Sequence, residues 1–226
     1  MSEPIFKYLD RGSDKTIVLI PGWATDYRVF DLLDLKFNYL LPIDFSLSTF
    51  KSSLFNTLRE KEIKNISLLG WSLGGFLAAE FAGKYPGLVE ELILIGIRKK
   101  YDQEKIAEIG EFLKRSKKGY LYKFYKQCFF KQENMIWFKE NLLKAYCQDF
   151  DLEYLLKTLD YLAKSQINTQ ELLAIEKIKI IHGACDQIAP IEEAREVCET
   201  IARAELIIVE NCSHALFLET DLGKYI

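Results

Sequence analysis

The sequence predicts one α/β domain: a mostly parallel sheet, helices on both of its faces, and a helical insertion part-way along the chain. Three observations lead there. Several short apolar runs rich in Ile, Val and Leu stop at turn residues, as strands buried on both faces do. Helix-spaced segments follow most of these runs, which is the rhythm of a parallel sheet. Between them, roughly seventy residues hold no convincing strand, far more than an ordinary connection needs. The 226 residues suit a single domain carrying an insertion.

Taken in order, Thr16–Ile20 is a continuous apolar strand ended by Pro21 and Gly22. Residues 39–43 form a weaker strand disturbed by Pro42, and 50–61 have helical spacing. Residues 65–69 read as another buried strand, and 70–84 as a turn entering an Ala-rich helix, stopped by Tyr85, Pro86 and Gly87. Residues 92–96 give the next strand. The rhythm resumes with a strand at 178–182, a helix at 192–203 and a strand at 205–209. The expected division is 1–98 for the first part of the core, 99–170 for the helical insertion and 171–226 for the second part.

Composition excludes several classes. With 49% hydrophobic and 28% charged residues the chain is neither collagen-like nor disordered. A net charge of −3 argues against nucleic acid as partner. Five scattered cysteines without a Cys-x-x-Cys pair read as free thiols of a reducing compartment. Met1 to Pro4 lack the basic start and apolar stretch of a leader, and no apolar segment is long enough to span a bilayer. The expectation is a cytoplasmic protein that uses no cofactor and no metal.

Chemistry concentrates at Gly70-Trp71-Ser72-Leu73-Gly74, directly after one strand and directly before a helix. A turn that sharp strains the serine, and side chains at the flanking glycines would meet neighbouring backbone. It lifts the Ser72 hydroxyl above the sheet and sets the Leu73 amide at a helix N-terminus, facing a developing oxyanion. The serine needs a base and the base an orienting acid. Of two histidines, His182 closes a strand, whereas His214 lies in the loop after the last strand, where open α/β sheets bind ligands. His214 is the better base. Asp186 follows the strand ending at His182; its plainer reading is a turn-forming aspartate. The order Ser72, Asp186, His214 matches one known order of such residues. Gly22 lets the backbone approach closely, so the Trp23 amide is the second oxyanion donor. Its ring forms a pocket wall or packs the core.

These segments resemble the α/β-hydrolase superfamily. Pro21-Gly22-Trp23-Ala24, the Gly-Trp-Ser-Leu-Gly-Gly run at 70–75 and Cys212 to Phe217 are most similar to the pimeloyl-acyl-carrier-protein methyl ester carboxylesterases of biotin synthesis. The resemblance implies an α/β-hydrolase fold in which the insertion is the cap. It also implies Ser72 as nucleophile, Asp186 as acid, His214 as base, and the amides of Trp23 and Leu73 as oxyanion hole. Pro21 and Ala24 depart from the family's usual His and Gly there, and the loop at 42–46 is shortened.

Residues 98–131 hold eleven Lys or Arg against four Asp or Glu, a local +7 that leaves −10 for the rest of a chain summing to −3. That asymmetry fits an acidic partner such as acyl carrier protein, with Lys114, Arg115, Lys117 and Lys118 as docking residues, or else a solvated lysine-rich face. Interleaved aromatics, among them Tyr120, Phe124 and Phe129, either line an acyl channel with Trp23 or pack the cap. The activity expected is carboxylic ester hydrolysis through an acyl-enzyme. A carrier-protein thioesterase or another hydrolase of this fold shares every catalytic residue, and a binding protein that lost catalysis is the rival from another class.

Overall fold

A computed structural model describes residues 6–43 and 46–226. The N-terminal residues read for a leader, and Asp44 and Phe45 of the shortened loop, lie outside it. Seven strands form one sheet: β1 (Phe6–Leu9), β2 (Thr16–Ile20), β3 (Asn38–Pro42), β4 (Ile66–Trp71), β5 (Val89–Ile95), β6 (Lys177–Gly183) and β7 (Ala204–Val209). Their order is β1-β3-β2-β4-β5-β6-β7, with every pairing parallel except β1 with β3. This is the α/β-hydrolase fold.

The central strands β2 and β4 are buried along their whole length because helices cover both faces. Helix α1 (Phe50–Glu60) buries Phe50, Leu54 and Leu58, one residue per turn, against the sheet. Helix α2 (Leu73–Lys84) is buried nearly all round. One strand escaped the sequence reading and one helix boundary needs correction. β1 carries Lys7 in its middle and has no continuous apolar run; as an antiparallel edge strand it is legible only once β3 lies beside it. α8 (Ile191–Glu199) stops four residues earlier than its spacing suggests, because Ile201 turns inward and β7 starts at Ala204.

Between β5 and β6 run α3 (Gln103–Arg115), α4 (Lys117–Gln127), α5 (Gln132–Phe138), a π-type turn (Lys139–Leu143), α6 (Lys144–Asp149) and α7 (Leu152–Lys164). Asp102 and Asp151 accept first-turn amides and so fix where α3 and α7 begin. Tyr125, Phe138 and Tyr146 form an aromatic centre, with ring centroids 4.9 to 6.1 Å apart. Among the described residues, no helix is long and apolar enough to cross a membrane.

The β4–α2 junction is the tightest point. A Cβ on Gly74 would lie 2.3 Å from the Ile20 carbonyl oxygen, and one on Gly70 would lie 2.4 Å from that of Gly74. Both neighbours are backbone and cannot swing aside. Gly74→Ala is expected to destabilise the fold by about 3 kcal/mol or more, as overpacking against fixed atoms does. A urea titration checks this, and a loss under about 1 kcal/mol would contradict the packing argument.

Candidate active site

Ser72 sits between β4 and α2 with φ 53° and ψ −114°, a left-handed conformation that costs a non-glycine residue about 1–3 kcal/mol. Its amide donates to the Ile95 carbonyl at 2.9 Å, which ties the turn to the end of β5. Leu73 opens α2, so its amide stands outside the intrahelical ladder. Ser72 is 4% exposed.

His214 is fully buried, and its Nδ1 lies 2.8 Å from Oδ2 of Asp186. Asp186 is itself fixed: its Oδ1 accepts the amides of Ile188 and Ala189 at 2.8 and 2.9 Å. Gly96 makes room for the pair, since a Cβ there would come within 2.9 Å of the imidazole. Trp71, next to Ser72, donates its indole N–H to the His214 carbonyl at 2.8 Å and holds its ring 5.5 Å from the imidazole. His214 Nε2 is buried with no partner inside the protein. The arrangement leaves one imidazole nitrogen oriented by a carboxylate and the other free for a proton.

His182, the other histidine, lies beneath Asp186. Its Nε2 is 2.7 Å from the Ala189 carbonyl and 3.5 Å from Asp186 Oδ2. Burial pushes its pKa down, against the opposing pull of the Asp186 charge. For Asp186, burial alone would raise the pKa. The charge and hydrogen bond of His214, the charge of His182 and the Ala189 amide outweigh it, so the carboxyl is held below its ordinary value.

A cavity of about 300 Å³ opens over Ser72, lined by Trp23, Tyr101, Tyr120, Phe124, Leu159, Ile188 and others. The Trp23 ring stands edge-on to Phe124 at 4.9 Å, and its N–H donates to the Leu155 carbonyl. It is therefore both pocket wall and cap anchor. A Cβ on Gly22 would lie 3.0 Å from the Trp71 ring, so glycine lets the loop before Trp23 pass close to it. Phe129, expected at the substrate, instead packs on Phe138 and faces a separate surface groove. Of the cations named for docking, Lys114 pairs with Glu111 at 2.8 Å and Lys117 donates to the Phe150 carbonyl, whereas Arg115 and Lys118 project from the surface.

Among the lining residues not read from the sequence are Arg98, Tyr101 and Lys105. Tyr101 lines the cavity together with Ser72, and burial pushes its pKa up to about 12. These residues sit where the chain leaves β5 for the cap, and only their position after a strand end could have marked them. Among the described residues, no three His, Cys, Asp or Glu side chains group to hold a metal ion.

Fold and site together define an α/β-hydrolase. Residues 50–221 match the family model described as "Serine aminopeptidase, S33", and the chain belongs to that family. The AB hydrolase superfamily protein YisY of Bacillus subtilis is 24% identical, over 93% of this chain and 88% of its own. A pimeloyl-[acyl-carrier protein] methyl ester esterase of Pseudoalteromonas atlantica is 30% identical, over 45% of this chain and 33% of its own. Among solved structures, an esterase from Exiguobacterium antarcticum superposes with TM-score 0.80 at 21% identity, covering 97% of this chain and 92% of that one. A bromoperoxidase from Bacillus anthracis superposes with TM-score 0.81 at 18% identity, covering the same shares.

A carboxyl whose folded pKa lies below its unfolded one contributes stability above the unfolded value, near pH 4, and loses it as pH falls through the folded value. Asp186→Asn is therefore expected to cost the most stability at pH 6–7 and progressively less between about pH 5 and pH 2. Urea unfolding of both proteins across that range checks this. A pH-independent gap would deny the ionised Asp186.

Proposed function

We propose that the protein is a serine carboxylesterase. The observation that carries the reading is Ser72, held strained in the wall of an apolar cavity, together with His214, whose loop the adjacent Trp71 holds and whose imidazole a buried carboxylate orients at 2.8 Å. Ser72 Oγ attacks the ester carbonyl as His214 Nε2 takes its proton. The amides of Leu73 and Trp23 stabilise the oxyanion. His214 then protonates the departing alcohol, leaving an acyl-Ser72 ester. Water, deprotonated by His214, releases the acid and restores Ser72. Asp186 holds the imidazole in the tautomer this requires.

The lining of the cavity argues against an aminopeptidase. A peptide N-terminus is a cation, whereas the described lining of this cavity holds Arg98 and Lys105 and no carboxylate, the Glu193 that pairs with Arg98 lying outside it. A second reading, a methyl ester delivered on acyl carrier protein, is supported by the relative of that description and by the cap's positive charge. With Lys114 and Lys117 engaged elsewhere, Arg115 and Lys118 are the members of that set left to meet an acidic carrier. It would place the protein in biotin synthesis. A thioesterase acting on the same carrier differs only in the leaving group.

Labelling of Ser72 by a fluorophosphonate tests the first reading; a folded protein that forms no adduct would sink it. Ser72→Ala and His214→Ala are each expected to lower kcat on p-nitrophenyl esters by at least a thousandfold, and His182→Ala to lower it by less than tenfold. Ser72-dependent hydrolysis of methyl pimeloyl-ACP that is no faster than that of the small esters would remove the carrier reading and leave the esterase.

A further inference from the structure

The apolar cavity over Ser72 contains two cationic side chains, and its other lining residues are neutral. Arg98 leaves β5 just after Gly96 and enters the cavity wall with its guanidinium over the Tyr101 ring, 5.1 Å from the centroid. Tyr101 and Ser72 line the same cavity, so the guanidinium and the reacting oxygen face one space. One arm is held by Glu193 at 3.1 Å, and the side chain is only 14% exposed. Its Nε–H is buried with no acceptor. Lys105, on the first turn of α3, borders the same cavity; its backbone amide, not its ammonium, is what Asp102 caps. A buried guanidinium N–H without an acceptor is costly, and folded proteins seldom leave one. A planar, preorganised fork in an otherwise apolar pocket is suited to a carboxylate.

We propose that Arg98, assisted by Lys105, reads a carboxylate at the far end of the acyl chain, so that the preferred substrate is a half-ester of a short dicarboxylic acid. The inference rests on the esterase reading. The ester carbonyl lies at Ser72, the methylenes lie along Tyr101, Ile106 and Phe124, and the free carboxylate pairs with the Arg98 guanidinium and the Lys105 ammonium. Water cleaves the ester, giving the dicarboxylic acid and the alcohol. A chain whose far end is tied to a carrier protein has no such carboxylate, so the inference favours a free small molecule. Arg98 is a specificity residue and takes no part in bond making.

The test compares kcat/KM for monomethyl succinate, glutarate and adipate with the methyl esters of butanoic, pentanoic and hexanoic acids. The wild-type protein is expected to favour at least one half-ester over its neutral partner. Arg98→Gln is expected to lower that preference about ten- to hundredfold, the range of one charge-assisted hydrogen bond. Arg98→Lys is expected to recover part of it, since charge returns without the fork. Wild-type protein that cleaves the neutral esters faster at every length, through Ser72, overturns the inference and leaves the esterase standing. Binding of free adipate and hexanoate, followed by calorimetry, gives a readout that needs no turnover and no variant. Tighter binding of adipate supports the inference even if no ester is cleaved; equal binding overturns it.

Discussion

The crossing of two backbones at Gly74 is the constraint on which the rest depends. The first turn of α2 passes so close to the carbonyls of Ile20 and Pro21 that no side chain fits between them. That contact locks the end of β2 to the start of α2. It therefore fixes two loops together: the one with Ser72 and the one with Trp23. The left-handed Ser72 survives because this packing, and its bond to Ile95, leave the turn no relaxed alternative. The strain sets where the hydroxyl points.

The cap is fastened to the Trp23 loop and to the histidine loop. Trp23 bonds to Leu155, Tyr125 to the Ala24 carbonyl, and Arg28 bridges Asp26 and Asp149. Ala24 itself is left-handed, at φ 57°, where the resembling family has glycine, and the Tyr125 bond holds it there. On the other side, the Glu219 carboxylate accepts the amides of Phe130, Lys131 and Ser213, while Ala215 donates to Cys128. A buried carboxylate satisfied by three N–H groups is a strong tie. It links the residue before His214 to the start of α5. Cap and site are one mechanical unit, so packing changes in the cap reach the imidazole.

Charge divides this unit into two regions. On the outer face of the cap, Lys117 is tied to the Phe150 carbonyl and Lys114 forms a solvent-exposed pair with Glu111. Inside, Arg98 is desolvated, stacked on Tyr101 and only partly paired. A charge held in a low-dielectric cavity acts on a ligand far more strongly than one facing water. On the proposed reading, the cations inside the cavity bear on substrate preference more than the cap's net positive charge does.

The sequence by itself determined the parallel sheet and the positions of Ser72, Asp186 and His214, because these rest on local signals. Apolar runs ending in turns mark buried strands, and Gly-x-Ser-x-Gly marks a crossing that only glycine permits. It also carried the charge asymmetry, but not which lysines were free. What the tertiary structure decided depends on neighbours distant in the chain. β1 is a strand because β3 offers it an edge. Phe129 faces away from Ser72 because Phe138 claims its ring. Arg98 and Tyr101 have no motif around them, and they join the site because β5 ends beside Ser72 before the chain turns into the cap. Side-chain direction and burial are properties of packing, and no local pattern encodes them.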